Sequence, residues 1–318
     1  MNNYIKDIVE AFDFNGIRNN SNNKNDTIVS NVKNFAIKKL VEDIRNGVRP
    51  EKHIWNMYKD NPIYKVQSKE ELRLLIENTL KIFGKNCSLN WIDTSMIEDM
   101  SRLFEGINPH NIGISKWDVS NVKYMSNMFG NCKAFCSDIS NWDVSNVENM
   151  RYMFNKCKNF NSDLSRWDVS NVKEMNGIFS ECFIFNCDLS NWNVSNVTDM
   201  WAMFRSCTNF NCDLSMWNVS NVESMSYMFE GCKNFNSDLS KWDVSNVNNT
   251  AYMFAECENF NSDLSRWNVS NVKNMTNMFA ECENFNSDLS KWDISNVKNM
   301  TNMFDECNSL KKIPGWYK

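Results

Sequence analysis

The chain has 318 residues, 42% hydrophobic and 23% charged, with 21 Phe and 12 Trp but only 9 Gly and 4 Pro. That balance excludes a wholly disordered chain and a collagen-like one. A net charge of −5 argues against nucleic-acid binding, which needs a basic surface, and two histidines, His53 and His110, are too few for the usual histidine-rich metal or acid–base centre.

In chain order, Ile5, Ile8, Val9 and Phe12 line one side of a short amphipathic helix expected over residues 1–14. Arg18 to Asp26 is almost all Asn, Ser, Lys and Asp and reads as a flexible tether, so 1–26 forms one segment. Residues 27–91 form a helical region. A helix is expected over 27–46, with Val29, Val32, Ala36, Leu40 and Ile44 in phase and Gly47 after its end; a short one comes next over 50–59. Ser68 and Glu71 form a capping box that opens a third helix, running to about Phe83 before Gly84, placed to shield the open edge of a strand beyond residue 91. This front part carries 15 basic and 11 acidic groups, net +4, whereas residues 92–318 carry 19 and 28, net −9.

From residue 92 to 316 the sequence is a repeat. Trp117, Trp142, Trp167, Trp192, Trp217, Trp242, Trp267 and Trp292 recur every 25 residues without insertion, within a unit W-[DN]-V-S-N-V-x-x-M-x-x-M-F-x-x-C-x-x-F-N-S-D-L-S-x. A diverged copy starts at Ile92 and a decayed one ends at Trp316, so nine copies are counted. The alternation in Leu164–Val169 predicts a strand, with Trp167 and Val169 inward. Val172, Met175, Ile178, Phe179 and Cys182 predict one face of a short helix, with Ser170 at its N-cap. One unit is too small to stand alone, so the copies must stack. The expected fold class is an α/β solenoid, leucine-rich-repeat-like, of nine 25-residue strand–helix repeats with a small helical N-terminal region.

WDVSNV, the M-x-x-M-F run and FNSDLS resemble the BspA-like leucine-rich-repeat surface proteins of bacteria and some protozoa, over about two-thirds of the chain. The segment Ser68 to Ser95 is similar to that family's lead-in. The resemblance implies a protein-binding solenoid, in many members displayed at a cell surface for adhesion. Two departures stand out: cysteine where alanine is common, and a start, Met1 to Asp7, without the basic-then-apolar layout of a signal peptide. No apolar run approaches the roughly 18 residues of a membrane span. The expectation is therefore a cytoplasmic protein without a membrane span, an exported surface adhesin being the alternative.

No catalytic motif appears: G-x-S-x-G, P-loop and H-E-x-x-H are all missing from the sequence. The reading is a non-catalytic interaction module or scaffold with no cofactor and no metal; an enzyme would need an unfamiliar site in residues 1–91. Cys132, Cys157, Cys182, Cys207, Cys232, Cys257, Cys282 and Cys307 occur once per copy, a spacing that suits small apolar filler better than metal ligation. Cys187 and Cys212 replace Ser in adjacent copies, where a disulfide is geometrically conceivable but reduced thiols are expected. Asp138, Asp163, Asp188, Asp213, Asp238, Asp263 and Asp288 form a column that suits turn-stabilising Asp better than a calcium repeat.

Candidate binding positions are those that break the repeat. Phe183-Ile184 stand where other copies carry polar pairs, Trp201 where most carry a small or polar residue, and Tyr152, Tyr227 and Tyr252 where others have Asn, Gly or Ala. Stacking is expected to bring Phe183, Ile184 and Trp201 together on the convex side, close to Tyr152 and Tyr227, as a surface for a protein partner or for self-association. The rival is the concave strand face, with Arg166, Asp168, Asn193, Met216, Asn218, Lys241 and Asp243 pointing outward.

Overall fold

The computed structural model describes the backbone of residues 23–318 and the side chains from residue 33 onward. The helix expected over 1–14 lies outside the described residues. Helix α1 spans Asn23–Arg45, so the last four residues of the expected tether are helical. It closes on Gly47 at φ 68°, where the Gly47 N–H reaches the Ile44 carbonyl and the Val48 N–H the Asp43 carbonyl, a Schellman ending. Helix α2 spans Lys52–Tyr58 and α3 spans Lys69–Phe83. At the start of α3 the Glu71 N–H donates to Ser68 Oγ, while the Glu71 carboxylate accepts from the Gln67 N–H at 2.9 Å, a capping box shifted by one residue. Glu71 also takes the Tyr64 hydroxyl at 2.7 Å and Arg45, which ties α1 to α3. Trp55 stacks on Phe83 at 3.9 Å.

Strand β1, Tyr64–Lys65, pairs in parallel with β2, Ile92–Asp93, and so covers the edge of the first copy. Helix α3 covers it as well, by a side chain. Arg73 donates to the carbonyls of Arg102 (3.0 Å), Leu103 (3.2 Å) and Glu105 (2.8 Å). One copy further on, the carbonyl matching Leu103 is that of Met128, which accepts the Phe104 N–H. At Leu103 and Glu105 the Arg73 guanidinium therefore stands in for backbone donors that a preceding copy would supply.

Beyond α3 the copies stack with parallel bridges at 25-residue offsets, from Asp99–Tyr124 through Asn274–Asn299. The expected division of each copy into strand then helix is corrected, and nearly inverted. The backbone ladder runs through the segment read as a helix. There Met125, Asn127, Phe129 and Asn131 N–H donate to the carbonyls of Asn149, Arg151, Met153 and Asn155 in the next copy. Within the copy the same segment forms successive turns, Met128 N–H to Met125 carbonyl and Cys132 N–H to Phe129 carbonyl. Two residues per copy have positive φ, the columns of Asn127 (53°) and Asn131 (63°), repeated at Tyr152 and Lys156 and so on to Asn302 and Glu306. Two left-handed residues four positions apart cannot belong to an α-helix.

The segment read as a strand does alternate, with Trp167 and Val169 buried and Arg166 and Asp168 exposed, but side chains rather than backbone ladders hold it to its neighbours. Each Trp indole N–H donates to a Leu or Ile carbonyl one copy back, as Trp192 to Leu164 at 3.0 Å. Each Asn of S-N-V donates its carboxamide to a Ser carbonyl one copy back, as Asn196 to Ser170 at 2.6 Å. The Asn of F-N-S accepts the next copy's N–H, as Asn186 from Asn211 at 2.9 Å. Ser170 is not an N-cap; its N–H donates to Asp168 Oδ1 at 3.0 Å. These bonds explain why W and N recur letter for letter: a substitution would leave a carbonyl or N–H inside the stack without its partner. The core between the two sides is a pair of Phe columns. Phe154 and Phe179 stack at 5.7 Å between copies, and Phe154 meets Phe160 at 4.0 Å within one.

Candidate functional site

The position occupied by Asn127, Asn277 and Asn302 is left-handed in every copy, which suits Asn and Gly. Three copies place tyrosine there instead: Tyr152 at φ 54°, Tyr227 at 61° and Tyr252 at 58°. A bulky side chain in that conformation costs on the order of 1 kcal/mol or more. The tyrosines are half-buried and lie outside the Phe and Trp core. Trp201, half-buried on the neighbouring column, joins them: its ring lies 6.2 Å from Tyr152 at 71° and 6.1 Å from Tyr227 at 62°. Tyr227 in turn stacks on Tyr252 at 4.7 Å and 7°.

The run is possible because two intervening residues are small. Gly177 has φ 63°, and a Cβ there would sit 2.5 Å from Cδ1 and Cε1 of Tyr152. The Tyr152 ring thus lies over the next copy and reaches Trp201 one copy beyond. Ala202, fully buried, fills the same position in the Trp201 copy. The result is a column of four aromatic rings across five copies. Its surroundings are charged: Arg205 pairs with Glu230, and Glu230 and Arg205 both act on the Tyr227 hydroxyl, whose pKa is raised chiefly by burial.

Phe183 and Ile184 do not join this column. No ring pair links Phe183 to Trp201 among the described residues; Phe183 lies under the Lys158 ammonium at 4.9 Å instead, and Ile184 is exposed. The expected single cluster is therefore two features. The separation comes from the turns: the residue after each ladder cysteine lies beyond the second left-handed residue, on a different stretch of the coil from Trp201. Arg166, Asp168, Asn193, Met216, Asn218, Lys241 and Asp243 are all exposed, Met216 at 76%. None of them lines the polar groove of about 1100 Å³ edged by Asn171, Lys173, Asn196, Asn221 and Glu223. In that groove Lys173 pairs with Glu148 at 2.8 Å, and the Asn carboxamides are committed to the Ser carbonyls below them.

The thiol column is buried apart from the half-buried Cys307, and each Sγ donates to a Phe carbonyl one copy back at 2.8–3.6 Å. Burial pushes these thiols up, Cys132 to about 12. Cys187 and Cys212 are free thiols in which sulfur replaces a hydroxyl. Cys187 accepts the Leu164 N–H at 3.0 Å, as Ser237 Oγ accepts that of Leu214 at 2.8 Å. The Asp column does form turns: Asp163 and Asp188 Oδ1 accept the N–H of Ser165 and Ser190 at 2.9 Å, which lowers both carboxyl pKa values. Among the described residues no three His, Cys, Asp or Glu side chains are grouped to hold a metal ion, and no helix is long and apolar enough to cross a membrane.

Sequence reasoning missed Arg73 and the role of Gly177. The first gave no signal, because its target carbonyls come together only once the copies stack. The second was visible as the one Gly in its column.

No curated protein matches the chain. A family model matches it three times in tandem, over residues 76–186, 161–254 and 238–317, which together cover the end of α3 and the whole repeat. The chain therefore belongs to the repeat family described as "Mycoplasma protein of unknown function, DUF285".

Proposed function

We propose that this chain is a solenoid of the leucine-rich-repeat class, BspA-like in its repeat letters, and that it serves as a non-catalytic module binding a protein partner. Supporting the class are the parallel bridges at one-copy intervals and the covered first edge. The observation that carries the function is the column Tyr152, Trp201, Tyr227 and Tyr252. It breaks the repeat in polarity, and at its three tyrosines in backbone preference as well, outside the core, where packing alone does not require it. Aromatic residues at such positions are the usual anchors of protein interfaces. Trp201→Ala combined with Tyr227→Ala tests the reading. Co-purification of a partner from source cells should be lost, while the melting temperature changes little. A large fall in stability with the partner still bound would assign the column to packing.

A further inference from the structure

We propose that the aromatic column, together with the carboxylates beside it, binds a basic, extended segment of the partner, with arginine or lysine side chains set against the tyrosine and tryptophan faces. The inference rests on the reading of the column as a docking surface and adds the chemistry of what docks there.

Four residues after each column position lies the second left-handed position, and the two share one surface: Asn127, Asn131, Asn155 and Lys156 line a single depression. Along the C-terminal copies that second position is Glu256, Glu281 and Glu306, stacked in consecutive copies with Asp305 beside the last. None of these four makes an ion pair among the described residues. Basic groups nearer the aromatic rings are already engaged: Arg151 with Glu174, Lys156 with Glu181 and Arg205 with Glu230. The column thus runs from π faces into a strip of negative charge, which Lys233, itself paired with Glu258, offsets only in part. The Glu281 carboxyl pKa is raised, by burial first and then by Glu256 and Glu306, so its neighbours repel it when it ionises. A cation brought alongside relieves that repulsion and is attracted by the same rings.

The geometry suits cations in particular. Trp201 has a tyrosine ring steeply inclined on either side, and Tyr252 lies parallel to Tyr227 with its far face free of other rings among the described residues. Anionic ligands such as nucleic acid are repelled by the same strip.

The test uses the full chain and labelled peptides followed by fluorescence anisotropy. The probe is an arginine–glycine repeat peptide; its control is the same peptide with citrulline for arginine, which keeps the shape and removes the charge. The arginine peptide should bind, the citrulline peptide about tenfold or more weakly, and rising salt should weaken the complex. Two variants should each lose about tenfold: Glu256→Gln with Glu281→Gln and Glu306→Gln, and Trp201→Leu with Tyr227→Leu, which keeps apolar bulk and removes the π faces. Equal binding of both peptides overturns the basic partner yet leaves the docking surface standing. Undiminished arginine-peptide binding by the leucine variant overturns it too, since the acidic strip would then act without the rings. Failure of the arginine peptide to bind at all rejects the inference, whatever the co-purification result.

Discussion

Arg73 is a single side chain that closes the open start of the stack, and its removal should unravel the first copy alone. Arg73→Met keeps the aliphatic stem and deletes the three hydrogen bonds to the carbonyls of Arg102, Leu103 and Glu105. Hydrogen bonds from a charged donor are worth about 1.5–3 kcal/mol each where water is excluded. Here two of the three are exposed, so only the bond to Leu103 approaches that range. The lost ion pair with Glu77 adds about 0.3–0.5 kcal/mol as a surface i,i+4 pair. The expected cost is therefore about 2–3 kcal/mol. In a stack whose backbone hydrogen bonds link only adjacent copies, that cost should fall locally. Hydrogen exchange read by mass spectrometry should show faster exchange at Met100, Arg102 and Phe104, whose N–H groups donate to the second copy, with protection unchanged from Phe179 onward. Arg73→Lys should recover only part, because an ammonium cannot span three carbonyls as the guanidinium does. Wild-type exchange at those amides in Arg73→Met, or an equal loss throughout the stack, would refute the capping argument.

Gly177→Ala should cost about 1–3 kcal/mol, since it combines positive φ with a clash on Tyr152, and adding Tyr152→Ala should recover the clash but not the backbone term; thermal melts of both variants measure this. Folded protein treated with an alkylating agent should be modified at exposed Cys136 while Cys157 to Cys282 of the ladder react only after denaturation, a difference peptide mass mapping reads directly. The turn carboxyls of Asp163, Asp188, Asp213 and Asp263 have lowered pKa values, chiefly because each accepts a backbone N–H from the Ser two residues on. A folded pKa below the unfolded one gives stability that is present above the ordinary carboxyl value and lost as pH falls through the folded one. Urea midpoints should thus hold steady near neutrality and fall below about pH 4, less steeply when several of these Asp are changed to Asn, which keeps the accepting oxygen.

Much of this architecture is legible in the letters. The 25-residue period, the inward Trp and Val and the helix start at Ser68 all emerge from spacing and side-chain chemistry alone. The helix expected within each copy does not form, and the reason lies in the turns. Val172, Met175, Ile178, Phe179 and Cys182 have helical spacing because successive tight turns also bring every third or fourth residue to one side. The opposing signal is vertical: Asn127, Gly177, Asn277 and Asn302 in one column, Asn131 and Gly231 in the other, all residues that accept positive φ. Taken down columns rather than along the chain, they mark two turns per copy. The aromatic break is equally visible in the letters, but its membership is not, because whether Phe183 or Tyr252 joins the run through Trp201 and Tyr227 depends on where those turns fall.

The claim that the turn side is the docking surface is tested most directly by site-specific photocrosslinking. A photoreactive phenylalanine is placed in turn at Tyr252, at Trp201 and at Met216, the last being exposed on the side that alternates with the buried Trp residues. With source-cell proteins present, positions 252 and 201 should give the same covalent partner and position 216 none. Crosslinks from 216 with none from 201 or 252 would contradict the account and move the binding surface to the opposite side of the stack.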